Sequence, residues 1–268
     1  MPYVHSELVY KIRGVLFNVR KQLGTGLAEE LYQKALSIEF KNLKIFCEKE
    51  KAIKIFYKNE QVGDYRADLY INNLVPIELK SVDIINPKHK AQLICYMKGL
   101  DSGIGILANY GSNYFEPIIL RNVLKGFIVT PKMRVDYGGF SNNNLVKDFV
   151  RAICLIYKSL GAGYLEQVYY NALAVELGLN NLNCNLDVNF SVKYLGQPIE
   201  EQPLKLIVEN KIFVVVKAVG LLQIDYKNYI KTILKNTNLE IGIIVNFGIS
   251  YVDIRIISIG KELKKITI

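Results

Sequence analysis

The chain has 268 residues, half of them hydrophobic and 11% aromatic, with 34 Lys and Arg against 25 Asp and Glu for a formal charge of +9. That length allows one large domain or two of ordinary size, and the composition is that of a chain that buries a core, which argues against disorder. No run reaches the roughly 18–20 apolar residues of a membrane span, no secretory signal follows Met1-Pro2-Tyr3-Val4-His5, and Cys47, Cys95, Cys154 and Cys184 stand singly, so a soluble cytoplasmic protein with reduced thiols is expected.

The first predicted element is a helix over 5–23. A turn at Gly24 and Gly26 leads to a second helix over 27–42, with Leu27, Leu31, Ala35 and Ile38 at helical spacing. Strands follow over 45–57, 62–71 and 75–82, the last two joined across Asn72-Asn73, an Asn-rich hairpin signal. Pro87 opens a third helix reaching Leu100, proline being favoured in a first helical turn. Strands over 104–109 and 114–120 close the unit.

The same order then repeats. Gly24-Thr25-Gly26-Leu27-Ala28-Glu29-Glu30-Leu31-Tyr32 returns as Gly161-Ala162-Gly163-Tyr164-Leu165-Glu166-Gln167-Val168-Tyr169, an offset of 161 minus 24, or 137. Without a gap the offset also pairs Glu39 with Glu176, Cys47 with Cys184, Lys80 with Lys217, Asn109 with Asn246 and Gly111 with Gly248. Such a series predicts two tandem copies, residues 1–137 and 138–268, meeting in the Gly/Asn/Ser cluster over 136–144. Residues 1–137 hold 20 basic and 14 acidic residues (+6), leaving 14 and 11 (+3) for the rest, so most of the basic excess lies in the first copy.

Glu29 and Tyr32 are three apart on one helix, with Leu36 a turn further on the same face. A carboxylate there is costly to bury unless paired or metal-bound, or else it is a partly exposed glutamate favoured by the helix start. Asp68, Glu78 and Lys80 form D-x9-E-x-K: Glu78 and Lys80 share one face of a strand, and Asp68 lies on the neighbouring strand. Register decides what they do. A two-residue turn at Asn72-Asn73 sets Asp68 opposite Ile77, whereas an odd-length turn or a bulge sets it opposite Glu78, and the odd-length connection is expected. Two such acids can hold Mg²⁺, with the lysine supporting an attacking water; an ordinary cross-strand ion pair is the other reading. His89, Gln92 and Tyr96 share one face of the following helix, as a polar motif or a solvated face. Lys49, Lys51, Lys54 and Lys58, with Arg66 and His89, are candidates for phosphate contact, although a lysine run also reads as a solvated face.

G-x-x-E-x-x-Y at Gly26, Glu29 and Tyr32, then Tyr65-Arg66-Ala67-Asp68-Leu69, Ile77-Glu78-Leu79-Lys80, Ala91-Gln92-Leu93 with Tyr96, and Gly105-Ile106-Leu107-Ala108-Asn109-Tyr110-Gly111 resemble the bacterial GxxExxY family. That family is a branch of the PD-(D/E)xK nuclease superfamily. The resemblance implies an α/β (α+β) fold of two tandem restriction-endonuclease-like domains, each a central mixed β-sheet flanked by α-helices. It also implies Mg²⁺- or Mn²⁺-dependent hydrolysis of phosphodiesters; nucleic acid is the expected partner, DNA sooner than RNA. Asp68 and Glu78 would be metal ligands, the Leu79 backbone carbonyl a third, Lys80 the catalytic lysine, Glu29 an acid completing the site, and Gln92 and Tyr96 the bracing helix motif.

The second copy departs from this pattern. Asp68 becomes Lys205, Glu78 becomes Val215, Gln92 becomes Tyr229 and His89 becomes Tyr226, while Glu166 and Lys217 are kept. A fixed positive charge where a ligand should stand cannot hold Mg²⁺ in the same way, so residues 138–268 read as an inactive copy kept for packing, binding or pseudo-dimerisation. Glu39 and Glu176, present in both copies, read as structural. A monomer whose two copies pair within one chain is expected, and no membrane partner. The alternative to a nuclease is a non-catalytic nucleic-acid-binding or protein-interaction module.

Overall fold

The computed structural model describes residues 6–121, 132–195, 197–220, 222, 226–237, 239–248 and 251–259. The first series of elements is α1 Ser6–Leu23, α2 Glu29–Asn42, β1 Cys47–Tyr57, β2 Glu60–Ile71, β3 Val75–Lys80, α3 Pro87–Gly99, β4 Ile104–Asn109 and β5 Ile118–Arg121. The second is β6 Met133–Asp136, α4 Asn144–Leu160, α5 Glu166–Leu179, β7 Cys184–Tyr194, β8 Gln197–Val208, β9 Ile212–Lys217, α6 Tyr226–Asn236, β10 Ile241–Phe247 and β11 Val252–Ser258. Each series forms one mixed sheet flanked by helices: strand order β1-β2-β3-β4-β5 in the first, β6-β11-β10-β9-β8-β7 in the second. In both, a helix returns the chain across the sheet, so β3 and β4, like β9 and β10, run parallel, while β2–β3 and β8–β9 are antiparallel hairpins. No helix among the described residues is long and apolar enough to cross a membrane.

In the first sheet, alternation of side chains separates two layers. Leu69, Ile71, Ile77 and Leu79 pack with Val9, Ile12 and Leu16 of α1 and Tyr32, Leu36 and Phe40 of α2. Leu107 packs with Leu93 and Met97 of α3 on the other side. The core face of α2 is therefore Tyr32, Leu36 and Phe40, whereas Leu27 just before it and Leu31 and Ile38 on it are exposed. That corrects the apolar stripe expected from spacing: α2 carries two sets of apolar residues, and the one continuing Glu29's face is the buried one. Strand β5 starts at Ile118 instead of 114, since Pro117 has no N–H to give a ladder.

Gly105 and Gly242, equivalent in the two copies, sit where strand meets helix. A Cβ on Gly105 would lie 2.8 Å from Met97 Cγ of α3, and one on Gly242 2.0 Å from Ile230 Cγ2 of α6. Gly105→Ala and Gly242→Ala are each expected to destabilise by about 1–3 kcal/mol through overpacking, read as a lower denaturation midpoint at unchanged slope.

The chain divides into two compact units, Met1–Ile55 with Gly63–Phe127, and Phe56–Val62 with Ile128–Ile268. The break expected at 137/138 thus falls inside the second unit, because β6 lies before it and pairs in parallel with β11. Within the second unit Glu176 is 1% exposed, and its carboxylate accepts from Tyr57 Oη and Lys58 Nζ, both at 2.6 Å, and from Asn180 Nδ2 at 3.3 Å. Asn171 Nδ2 donates to the Val62 carbonyl at 2.9 Å. Glu176 is a structural acid.

Candidate active site

The hairpin between β2 and β3 fixes the site. Asn72 and Asn73 both adopt left-handed backbone (φ 51° and 54°), and Leu74 N–H closes the turn on the Ile71 carbonyl, so Ile71 pairs with Val75 across three residues. Leu69 opposes Ile77, and one step on the same register sets Asp68 opposite Glu78, on the sheet face that α3 covers. This is the odd-length connection that the acids require.

Asp68 Oδ2 accepts the Leu79 N–H at 2.6 Å. Glu78, 1% exposed, is bonded through Oε1 to Lys80 Nζ, while its Oε2 is buried and accepts no hydrogen bond. Lys80 Nζ is also 3.8 Å from Glu29 Oε2, and Glu29 Oε1 accepts the Ser81 N–H at 3.0 Å. Glu29 opens α2, so its carboxylate sits at the favourable end of the helix dipole and reaches the end of β3. Burial, and next the charge of Asp68, push the Glu78 carboxyl up to about 8 despite Lys80. Burial pushes Asp68 up to about 6, against the pull of the Leu79 N–H. Burial is the largest influence on Lys80 and opposes its charge, yet the bond to Glu78 and the charges of Glu78, Glu29 and Asp68 together outweigh it and hold the ammonium above its ordinary range.

On α3, Gln92 Nε2 donates to Tyr96 Oη at 2.7 Å, and Tyr96 is kept neutral mainly by burial. His89, expected on the same face, closes the start of α3 with Asn86 in a capping box. The lysines expected to contact phosphate differ in their surroundings. Lys51 pairs with Glu48 at 3.0 Å and lies over Tyr70, Lys58 pairs with Glu176, and Lys49, Lys54 and Arg66 are exposed.

Three residues escaped the sequence reading. Gln33 Nε2 donates to the Asp68 carbonyl at 2.9 Å and to Glu50 Oε1 at 2.5 Å. Ser81 Oγ ties the end of β3 to the Leu27 carbonyl at 2.6 Å. Asn109 clasps Val82 through both backbone groups, at 3.1 and 2.7 Å, as Asn246 clasps Val219 at 2.9 Å twice. The pairing of Asn109 with Asn246 was the signal that could have marked this clasp. Tyr32 is likewise structural: its Oη accepts the Leu27 N–H and donates to the Gly24 carbonyl, both at 3.2 Å, and its ring stacks on Tyr110 at 4.1 Å. Tyr169 repeats this with Tyr164, Gly161 and Phe247. Tyr32→Phe and Tyr169→Phe are each expected to cost about 1–2 kcal/mol in denaturant titrations, with no selective effect on chemistry at Asp68 and Glu78.

In the second copy Glu166 Oε2 and Lys217 Nζ lie 3.2 Å apart, but the rest of the site is rebuilt. Val215 joins the apolar layer with Ile230, Ile233 and Leu234 of α6. The Val216 N–H, equivalent to that of Leu79, donates to Tyr170 Oη at 2.8 Å where the first copy uses a carboxylate. Tyr170 stands at the position of Gln33.

Among the described residues no three His, Cys, Asp or Glu side chains gather as a preformed metal cluster. The donor set nevertheless suits a hard cation: two facing carboxylates, one with a buried oxygen lacking any donor, are oxygen ligands short of positive charge. The second copy offers no such pair.

Among curated proteins nothing matches the chain. The crystal structure of SSO0001 aligns with 21% identity over 34% of this chain, at a TM-score of 0.28, and the chain spans about half the length of that protein (48%). The family model of the PD-(D/E)XK nuclease superfamily matches residues 6–121 and again residues 143–257, the first series of elements and the second without β6. With most of its length so matched, the chain belongs to the PD-(D/E)XK nuclease superfamily, as a tandem duplication.

Proposed function

We propose that the first copy is a metal-dependent nuclease that hydrolyses phosphodiester bonds of nucleic acid, and that the second copy has lost this chemistry. The observation that carries the reading is the buried, donor-free Oε2 of Glu78, opposite Asp68 and next to Lys80. Asp68 and Glu78 would hold Mg²⁺ or Mn²⁺. A third oxygen is at hand in the Leu79 carbonyl: a residue's N–H and C=O leave an extended strand on the same side, and the Leu79 N–H points at Asp68. Such a cation, when bound, polarises a phosphoryl oxygen and lowers the pKa of water.

The chain's own residues do the rest. Lys80, held between Glu78 and Glu29, keeps its proton and is placed to orient the attacking water and to stabilise charge developing on the phosphate. Glu29 fixes Lys80 and the end of β3 together, through its bond to Ser81. Gln92 and Tyr96 brace the face of α3 above the acids, where Asp68 and Glu78 both act on the Tyr96 hydroxyl. Lys205 and Val215 remove the ligand pair from the second copy.

The test uses the full chain with labelled single- and double-stranded DNA and RNA, in Mg²⁺, Mn²⁺ or EDTA. Cleavage of at least one substrate that EDTA abolishes is expected; no cleavage of any of them in either metal sinks the reading. Among the described residues no three acids gather as a preformed cluster, which favours a second reading, a binding module without catalysis. Metal-independent binding that survives Asp68→Ala, with no cleavage, would select it.

A further inference from the structure

The second copy did not simply lose its site. Where the first copy sets two acids, the second has an open pocket of about 610 Å³ whose lining includes Lys205, Lys217, Glu166, Tyr170, Tyr226 and Tyr229. We propose that this pocket binds one nucleotide of a single-stranded nucleic acid without metal, its phosphate on Lys205 and Lys217 and its base against Tyr226 and Tyr229.

Three observations converge on that ligand. First, the charge at the pocket has reversed: Lys205 replaces Asp68 and Val215 replaces Glu78, so a place built for a cation now offers ammonium groups to an anion. Each lysine has an acid beside it, Asp187 at 2.6 Å from Lys205 and Glu166 at 3.2 Å from Lys217. The Lys205 pair is about half exposed on both sides, and such pairs are weak enough for a phosphate to compete with the carboxylate. Second, two aromatic groups line the pocket, Tyr229 presented to solvent and Tyr226 half-buried against the apolar layer. Tyr229 is 46% exposed while its ring is braced edge-on by buried Phe213, with centroids 6.1 Å apart, and Lys217 Nζ lies 5.4 Å from the centre of the Tyr226 ring. Lysines interleaved with aromatic rings, one of them exposed, are the combination that holds single-stranded bases and backbone together. Third, Tyr226 also lines an adjoining cleft of about 340 Å³ that carries Lys227, Lys231 and Arg255, with Asp136 as the acid in its lining. Arg255 is engaged by Asp253, which leaves Lys227 and Lys231 of α6 for the phosphates on either side of the bound nucleotide. The pocket itself lies within the usual size range for small-molecule and cofactor sites, and Tyr170 holds the Val216 N–H near the end of β9 through a neutral hydroxyl, where the first copy uses the Asp68 carboxylate.

The experiment is fluorescence anisotropy of a short fluorescein-labelled oligothymidylate in EDTA, using the full chain carrying Glu78→Gln so that the probe is not cut. Against that background Lys205→Glu and Tyr229→Ala, both at exposed positions, are each expected to weaken binding by about tenfold or more. Lys147→Glu on the exposed side of α4 is expected to stay within about twofold, and a double-stranded probe of the same length to bind more weakly. Binding within twofold of the parent in either pocket variant overturns the proposal, as does an equal loss with Lys147→Glu, which would mark a general charge effect. Because no metal and no cleavage enter, the result stands apart from whether the first copy is a nuclease.

Discussion

Replacing Lys80 by alanine is expected to slow Mg²⁺-dependent cleavage by about 10²–10⁴-fold, the usual size of a lost general-acid-base or charge-stabilising group. Glu78→Ala should cost at least as much, since it removes a ligand and also leaves Lys80 without the carboxylate that holds it. The two losses should not add: Lys80 and Glu78 are one hydrogen-bonded pair, so the double variant is expected within about tenfold of the worse single one. Glu39→Gln, on the helix that bears Glu29 but outside the site, serves as the control and should leave the rate within about twofold. Single-turnover rates on one labelled substrate measure all four. Full activity in both Lys80→Ala and Glu78→Ala would remove the site.

The second large effect concerns stability and has the opposite sign. Glu78 has its carboxyl pushed from an ordinary 4.5 up to about 8 in the folded protein, first by burial and then by Asp68. A raised pKa means that folding favours the protonated acid, so its contribution is fully present below the unfolded value and is lost as pH rises through about 8. In EDTA, therefore, Glu78→Gln should be more stable than the parent above pH 8, by about 1–3 kcal/mol, the amide keeping the shape without the buried charge. Near pH 5 the two should nearly coincide. Denaturant titrations at pH 5 and pH 9 check this, and a variant no more stable at pH 9 than at pH 5, relative to the parent, contradicts it. Adding Mg²⁺ at pH 9 should stabilise the parent and not the variant, because only the parent has the second carboxylate. The same ionisations mean that cleavage should climb from pH 6 to above pH 8, as Asp68 and then Glu78 lose their protons for the metal.

Much of this was readable from residues because it depends on spacing. The constant offset of 137 gave two copies, and D-x9-E-x-K demanded one hairpin register, which Asn72 and Asn73 can supply because asparagine tolerates left-handed backbone. What spacing cannot show is which of two candidate faces turns inward. On α2 both sets of apolar residues have helical periodicity, and only the sheet beneath decides that Leu36 and Phe40 are buried while Leu31 and Ile38 face solvent. Nor does spacing show partners distant in sequence. Gln33 and Tyr170 occupy equivalent positions yet serve different groups, one a carbonyl and a carboxylate, the other a backbone N–H left without its acid. The same holds for the lysines on and just after β1: Lys51 and Lys58 each pair with a different carboxylate, one of them 176 minus 58, or 118, residues away in sequence.

The tip Phe56–Val62 bears on how the protein can be taken apart. By repeat, the tip belongs to the first copy; by packing, it belongs to the second unit, where Tyr57 and Lys58 satisfy Glu176. A gene cut at the end of the first repeat would therefore yield two pieces, neither of them whole. The later fragment would carry a buried acid deprived of two of its donors, and the earlier would display a strand tip with nothing to grip. Descent and architecture draw the dividing line in different places, so the ancestral module can no longer be recovered by scissors alone.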